Sequence, residues 1–136
     1  MNSPTLMALT AFIAWSLALL VLMEVIRSKM VVTREVAANE FVPDNANLSP
    51  FMQRLARAHA NSLEGLPIFG GLMVVALISG RQSVTDSLAY VLLVARLLQS
   101  IIHLVSVSPA AVTLRFTAFA VQMGIAVYWS WRLLVG

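Results

Sequence analysis

Cysteine is absent from the 136 residues, and charge is scarce: only 11% of the side chains are Asp, Glu, Lys or Arg. The first absence removes disulfide frameworks, a protein thiolate nucleophile and Cys-type metal sites. The second is less than half the charged share of an ordinary soluble domain, about 25%. A chain this short has too much surface for so few polar groups to cover in water. With 60% hydrophobic residues, its apolar exterior calls for lipid. The net charge of +3 does not indicate nucleic acid, because the basic residues form no dense patch and no aromatics are interleaved with them. No metal-ligand pattern is spelled either: His59 and His103 have no carboxylate at ligand spacing. Gly70-Gly71 reads as a place of close helix approach, and there is no phosphate loop.

What is present is apolar sequence in long runs. The hydrocarbon core of a bilayer takes about 20 residues of helix. Four stretches meet that length, at about 6–26, 54–78, 84–107 and 110–135. No basic residue precedes the first, which is also too long for the core of a cleaved signal peptide. The polar segment 27–53, with Pro43, Asn45, Asn47 and Pro50, reads as a loop, and Ser79–Ser83 and Ser108-Pro109 as short links. The period-2 alternation of a barrel is missing. The expectation is an all-α membrane protein, one domain over 1–136, folded as a four-transmembrane-helix antiparallel bundle.

Basic residues orient the bundle. Arg27, Lys29, Arg34, Arg54 and Arg57 crowd the first loop, Arg81 stands alone in the second, and the third has none. The positive-inside rule then places the first loop in the cytoplasm and both termini on the outer or lumenal side. Tyr128, Trp129 and Trp131 would lie at the outer interface, and Trp15 would pack mid-span.

Polar groups inside the spans carry the functional signal. An ionisable group there costs about 2.5–3.5 kcal/mol on insertion scales, so it is retained for a partner or a task. Arg54, Arg57, Asn61 and Glu64 follow one another at helical spacing on the second span. Arg96, Gln99 and His103 do so on the third, and Arg115, Phe119 and Gln122 on the fourth. The antiparallel order brings all three stripes toward the same leaflet. Against four arginines stands one carboxylate, Glu64, so a shared cavity calls for an anion, and a carboxylate- and amine-bearing ligand would use both charges. Plainer readings stand beside this. Arg96 and Glu64 pair between helices; Gln99 and His103 serve as interhelical hydrogen-bond glue; Arg54 reaches lipid phosphate; and Glu24 pairs with a nearby Arg.

The run Arg54-Leu55-Ala56-Arg57-Ala58-His59-Ala60-Asn61-Ser62-Leu63-Glu64, followed by Pro67-Ile68-Phe69, resembles the second-helix signature of the MAPEG superfamily, the membrane-associated proteins in eicosanoid and glutathione metabolism. Ala95-Arg96-Leu97 and an Arg near the start of the fourth helix fit as well, and the pattern is closest to the microsomal prostaglandin E synthase and glutathione transferase branch. The resemblance covers essentially the whole chain. It implies a homotrimer with glutathione as cosubstrate between subunits. It implies that Arg57, Asn61 and Glu64 hold the tripeptide with His59 contributing. Arg96, Gln99 and His103 would line the site from the third helix, and Lys29 or Arg34 from the end of the first. Arg115 would stabilise the glutathione thiolate, with Phe116 and Phe119 near the sulfur.

Ala60 stands where the prostaglandin synthases have a further Arg, and Phe116 and Phe119 stand where they have Ser and Tyr. Plain conjugation to a lipophilic electrophile from the bilayer, or peroxide reduction, is therefore expected in preference to prostaglandin isomerisation. The alternatives are a non-catalytic glutathione-binding or assembly subunit of the same fold and a small transporter or channel subunit. For the last, no inverted repeat or broken-helix pair is found.

Overall fold

The helices begin where serine meets proline. Ser3-Pro4, Ser49-Pro50 and Ser108-Pro109 each put a Ser in extended backbone before a Pro at the first helical position. Each Ser hydroxyl accepts from the amide three residues on, at Leu6, Met52 and Ala111. Such a cap is worth about 1 kcal/mol, and the proline's missing N–H costs nothing there. The computed structural model describes residues 3–136. It consists of α1 (Pro4–Val32), α2 (Pro50–Ile78), α3 (Ser83–Val105) and α4 (Pro109–Val135), all long and apolar enough to cross a membrane. The first helix runs well past the expected end at 26, and the second starts ahead of the expected 54.

The second helix is not uniform. It is α-helical over Pro50–Gly65 and Gly71–Ile78 and widens to a π turn over Leu66–Gly70. Pro67 explains the widening: it has no N–H to give, and its ring would meet the carbonyl four residues back in an α-helix.

The third helix packs against all the others and has the largest buried share of the four spans. Two apolar clusters fill the bundle. One lies toward the start of α1 and the end of α4, built on Phe12, Phe69, Met73, Leu92, Ile125 and Trp129. The other lies at the end carrying the long loop, around Leu19, Met23, Met52 and Leu55, and has no α4 residue. Trp129 is fully buried in the first cluster, which corrects its expected place at the membrane interface. Tyr128 and Trp131 are exposed, and Arg132 Nη1 donates to the Tyr128 hydroxyl at 2.7 Å.

Polar contacts lock the ends. Thr5 donates from N and Oγ1 to Asp86 Oδ1, at 3.0 and 2.5 Å, which ties the start of α1 to the start of α3. Arg81 donates to the carbonyls of Leu133 and Arg132 and so caps α4. In the loop, Arg27 donates to Asn45 Oδ1 and to the Val42 carbonyl, while Asn45 Nδ2 donates to the Met52 carbonyl at 2.7 Å. Glu24 pairs with Arg27 at 3.3 Å.

Candidate functional site

Between the two apolar clusters lies a polar layer. Its centre is Arg96, on the middle helix and 0% exposed. Arg96 Nη1 donates to Asn61 Oδ1 at 2.7 Å and more weakly to the Asn61 carbonyl at 3.4 Å. The guanidinium stands over the Phe12 ring at 5.3 Å and the Phe69 ring at 5.7 Å. A desolvated cation over an aromatic face gains about 2 kcal/mol, which offsets part of the cost of its burial. Nε and Nη2 of Arg96 are buried with no hydrogen-bond partner among the described residues.

The layer continues across the bundle. Gln99 Nε2 donates to Asn61 Oδ1 at 2.9 Å, and Gln122 Nε2 donates to Gln99 Oε1 at 2.8 Å, so one chain of side chains links α2, α3 and α4. Ser16 and Ser62 hydroxyls share a buried hydrogen bond of 2.7 Å that joins α1. His103 is buried, its Nδ1 without a partner among the described residues. Arg115 is half-buried, with Nε sequestered and unpartnered.

Next to this layer opens a cavity of ≈ 240 Å³ lined by Asn61, Glu64, Gly65, Ile68, Phe69 and Phe119. Phe69 and Phe119 meet edge to face there at 6.3 Å. A recess of ≈ 260 Å³ on the loop side is lined by Pro50, Gln53, Arg54, Arg57 and Val107.

The structure thus brings Asn61, Arg96, Gln99 and Gln122 into one network. It separates others. Glu64 and Arg57 are exposed on the outside of α2, and among the described residues neither side chain has a hydrogen bond or ion pair. Arg96 therefore does not pair with Glu64; Asn61 takes its place. Arg54 donates to the Leu104 carbonyl at 2.9 Å and caps α3. His59 is half-buried and has no hydrogen bond to the network among the described residues. Lys29 is exposed at the end of α1, and Arg34 follows it in a left-handed backbone conformation, φ 61°. Both lie outside the network.

Two contributions were not evident from residue spacing. Gly65 is buried against Arg96, and a Cβ there would lie 2.5 Å from Nη2. Phe12 supplies an aromatic face from α1, where a Phe in an apolar run gives no hint of a cation opposite.

No curated protein and no solved structure matches the chain. A family model does: the one described as MAPEG family matches residues 5–135, nearly the full length and all four helices. A bundle of four membrane-length helices agrees with that match, and this integral, multi-pass membrane chain belongs to the MAPEG family.

Proposed function

We propose that the protein is a membrane-bound glutathione transferase that activates the glutathione thiol for attack on a lipophilic electrophile, with peroxide reduction as a related activity. The observation that carries this reading is uncompensated positive charge: Arg96 is buried with Nε and Nη2 unpartnered, Arg115 is half-buried with Nε unpartnered, and among the described residues neither pairs with a carboxylate, while Glu64 is exposed. Glutathione brings two carboxylates and a thiol, so it answers both the charge and the family. Arg57 and Glu64 point away from their own bundle, and the first ten residues of α4 bury only Ala111. A neighbouring subunit of a homotrimer would cover these surfaces and complete a site for glutathione at the boundary, with Lys29 or Arg34 reaching in from the end of α1.

In this reading Arg115 acts on the sulfur. A thiol has a pKa of about 8.5 and is mostly protonated at neutral pH. A partly desolvated guanidinium favours the thiolate, which is the nucleophile. The thiolate attacks an electrophilic carbon, the thioether bond forms, and the leaving group departs with its electron pair. Arg57, Asn61 and Glu64 hold the tripeptide. The bilayer supplies the second substrate to the apolar side of the cavity at Ile68 and Phe119. The basic residues of the first loop support a site in the cytoplasmic leaflet.

The test is ultraviolet absorbance of the thiolate as purified protein is titrated with glutathione. Wild type should develop the signal, and Arg115→Ala should bind glutathione without it. No signal in wild type, or an equal one in Arg115→Ala, overturns the mechanism.

A second reading has one observation in its favour. Phe119 lines the cavity with no hydroxyl to offer the sulfur, as a non-catalytic glutathione-binding or assembly subunit would allow. Binding of glutathione with no turnover over a broad electrophile panel would select it.

A further inference from the structure

The amide chain that crosses from α4 through α3 to α2 has one self-consistent polarity, set from both ends. At one end is the backbone carbonyl of Ala118, which can only accept, and Gln122 Nε2 donates to it at 3.1 Å. The same nitrogen gives its other hydrogen to Gln99 Oε1 at 2.8 Å. Gln99 must then turn its own Nε2 to Asn61, whose Oδ1 accepts at 2.9 Å. At the other end is Arg96, which can only donate, and Nη1 reaches the same Asn61 oxygen at 2.7 Å. Reversing any one amide sets two donors or two acceptors against each other. Gln99 and Gln122 are 3% and 0% exposed, so solvent does not relieve the conflict. Asn61 Oδ1 is filled from within. Its Nδ2 has no partner in the described chain and is left for the cavity that Asn61 lines with Glu64.

We propose that Gln99, oriented by Gln122, acts with Arg96 as a positioning residue that sets Asn61 as an obligate hydrogen-bond donor to the cavity beside the Glu64 carboxylate. Neither glutamine then touches the ligand, which changes the role of Gln99 from a contact to a support. The wall of the cavity offers a neutral donor and an anionic acceptor on successive turns of α2. The orientation of Asn61 is a property of the chain itself; its effect on glutathione rests on the function proposed above.

Polarity reversal and simple removal have different consequences, and this separates positioning from packing. In Gln99→Glu the carboxylate accepts from Gln122 Nε2 and draws the Arg96 guanidinium, one turn away on the same helix, off Asn61 Oδ1, so Asn61 turns Nδ2 inward to the carboxylate and shows its oxygen to the cavity. In Gln99→Met the volume stays and Arg96 alone still holds Asn61 Oδ1. Glutathione binding to the full-length protein in detergent should weaken about tenfold or more in Gln99→Glu, one hydrogen bond lost, and by less than about threefold in Gln99→Met. The loss should fall on KM with kcat retained. Equal losses in both variants, or a larger one in Gln99→Met, overturn the proposal.

The ligand-free protein gives an independent readout. With ¹⁵N-labelled asparagine, the Asn61 side-chain amide should exchange with solvent in wild type and Gln99→Met and be protected in Gln99→Glu. If Gln99→Glu does not fold, Gln122→Glu sets an acceptor against Gln99 Oε1 and reverses the same chain. A wild type that ignores glutathione yet shows this exchange pattern removes the glutathione reading and keeps the positioning role. Unchanged exchange across the series removes the positioning role, whatever the binding.

Discussion

Arg96 lies against the backbone of Gly65 so closely that a methyl group there would sit 2.5 Å from Nη2 and 3.0 Å from the Phe69 ring. A guanidinium is the far end of a flexible side chain and in most places would move aside. Here the Phe12 and Phe69 rings and the Asn61 oxygen fix its position. Gly65→Ala should therefore push Arg96 off Asn61 and cost about 1–3 kcal/mol of stability. Thermal unfolding in detergent reads this directly. An unchanged midpoint would mean that Arg96 has slack that the packing does not suggest.

Arg96 itself is a buried charge with no carboxylate on it among the described residues, and such a charge seldom favours folding. Replacement by an apolar side chain of similar length should leave stability unchanged or raise it by about 1–4 kcal/mol. Arg96→Met should thus unfold no earlier than wild type while glutathione binding falls. Joint loss of stability and binding would show that the charge serves the fold.

Arg115 gives a pH signature. If its guanidinium favours the bound thiolate, the wild-type rate rises with pH through a midpoint below that of a free thiol, about 8.5, and is flat above. Arg115→Ala returns the midpoint toward that value. The deficit of the variant should then be largest at low pH and shrink as pH rises. A deficit that is constant across pH would assign Arg115 to binding alone.

Arg34 sits just past the end of α1 at φ 61°, where Glu35 N donates back to the Met30 carbonyl and Arg34 N to the Val31 carbonyl. This is the Schellman arrangement, which favours glycine at the left-handed position. Arg34→Gly should raise stability by about 1 kcal/mol. If Arg34 also reaches glutathione in the assembly, the same variant should bind it more weakly. A gain in stability with unchanged affinity leaves Lys29 as the candidate at that end.

The number of spans and their approximate limits were legible because a run of apolar residues reports on length, and length is what a bilayer demands. The azimuth of single side chains was not. Arg57, Asn61 and Glu64 share a stripe by spacing, yet at 3.6 residues per turn Asn61 is rotated about 40° from Arg57 and about 60° from Glu64. That rotation carries Asn61 into the seam with α3 and leaves the other two outside. The pairing of Arg96 with Glu64 failed for the same reason: opposite charge at similar depth says nothing about which side of the helix each occupies. Trp129 was misplaced because aromatic residues near a terminus suit both an interface and a core. The helix starts lie at three Ser-Pro pairs, but Pro50 reads as loop and Ser108-Pro109 as a link, so the second span is expected only from about 54.

Those pairs have a bearing on how the bundle comes together. The peripheral helices α1, α2 and α4 each carry a start signal within a few residues of their own sequence, independent of any neighbour. The central helix has none: Gln82 makes no side-chain cap, and the first turn of α3 is tied instead to Thr5 of α1 through Thr85 and Asp86. Three rods arrive with their lengths already decided, and the fourth takes its register from the first. A change at Asp86 should accordingly let the middle rod slide, whereas loss of any one serine should merely fray a tip.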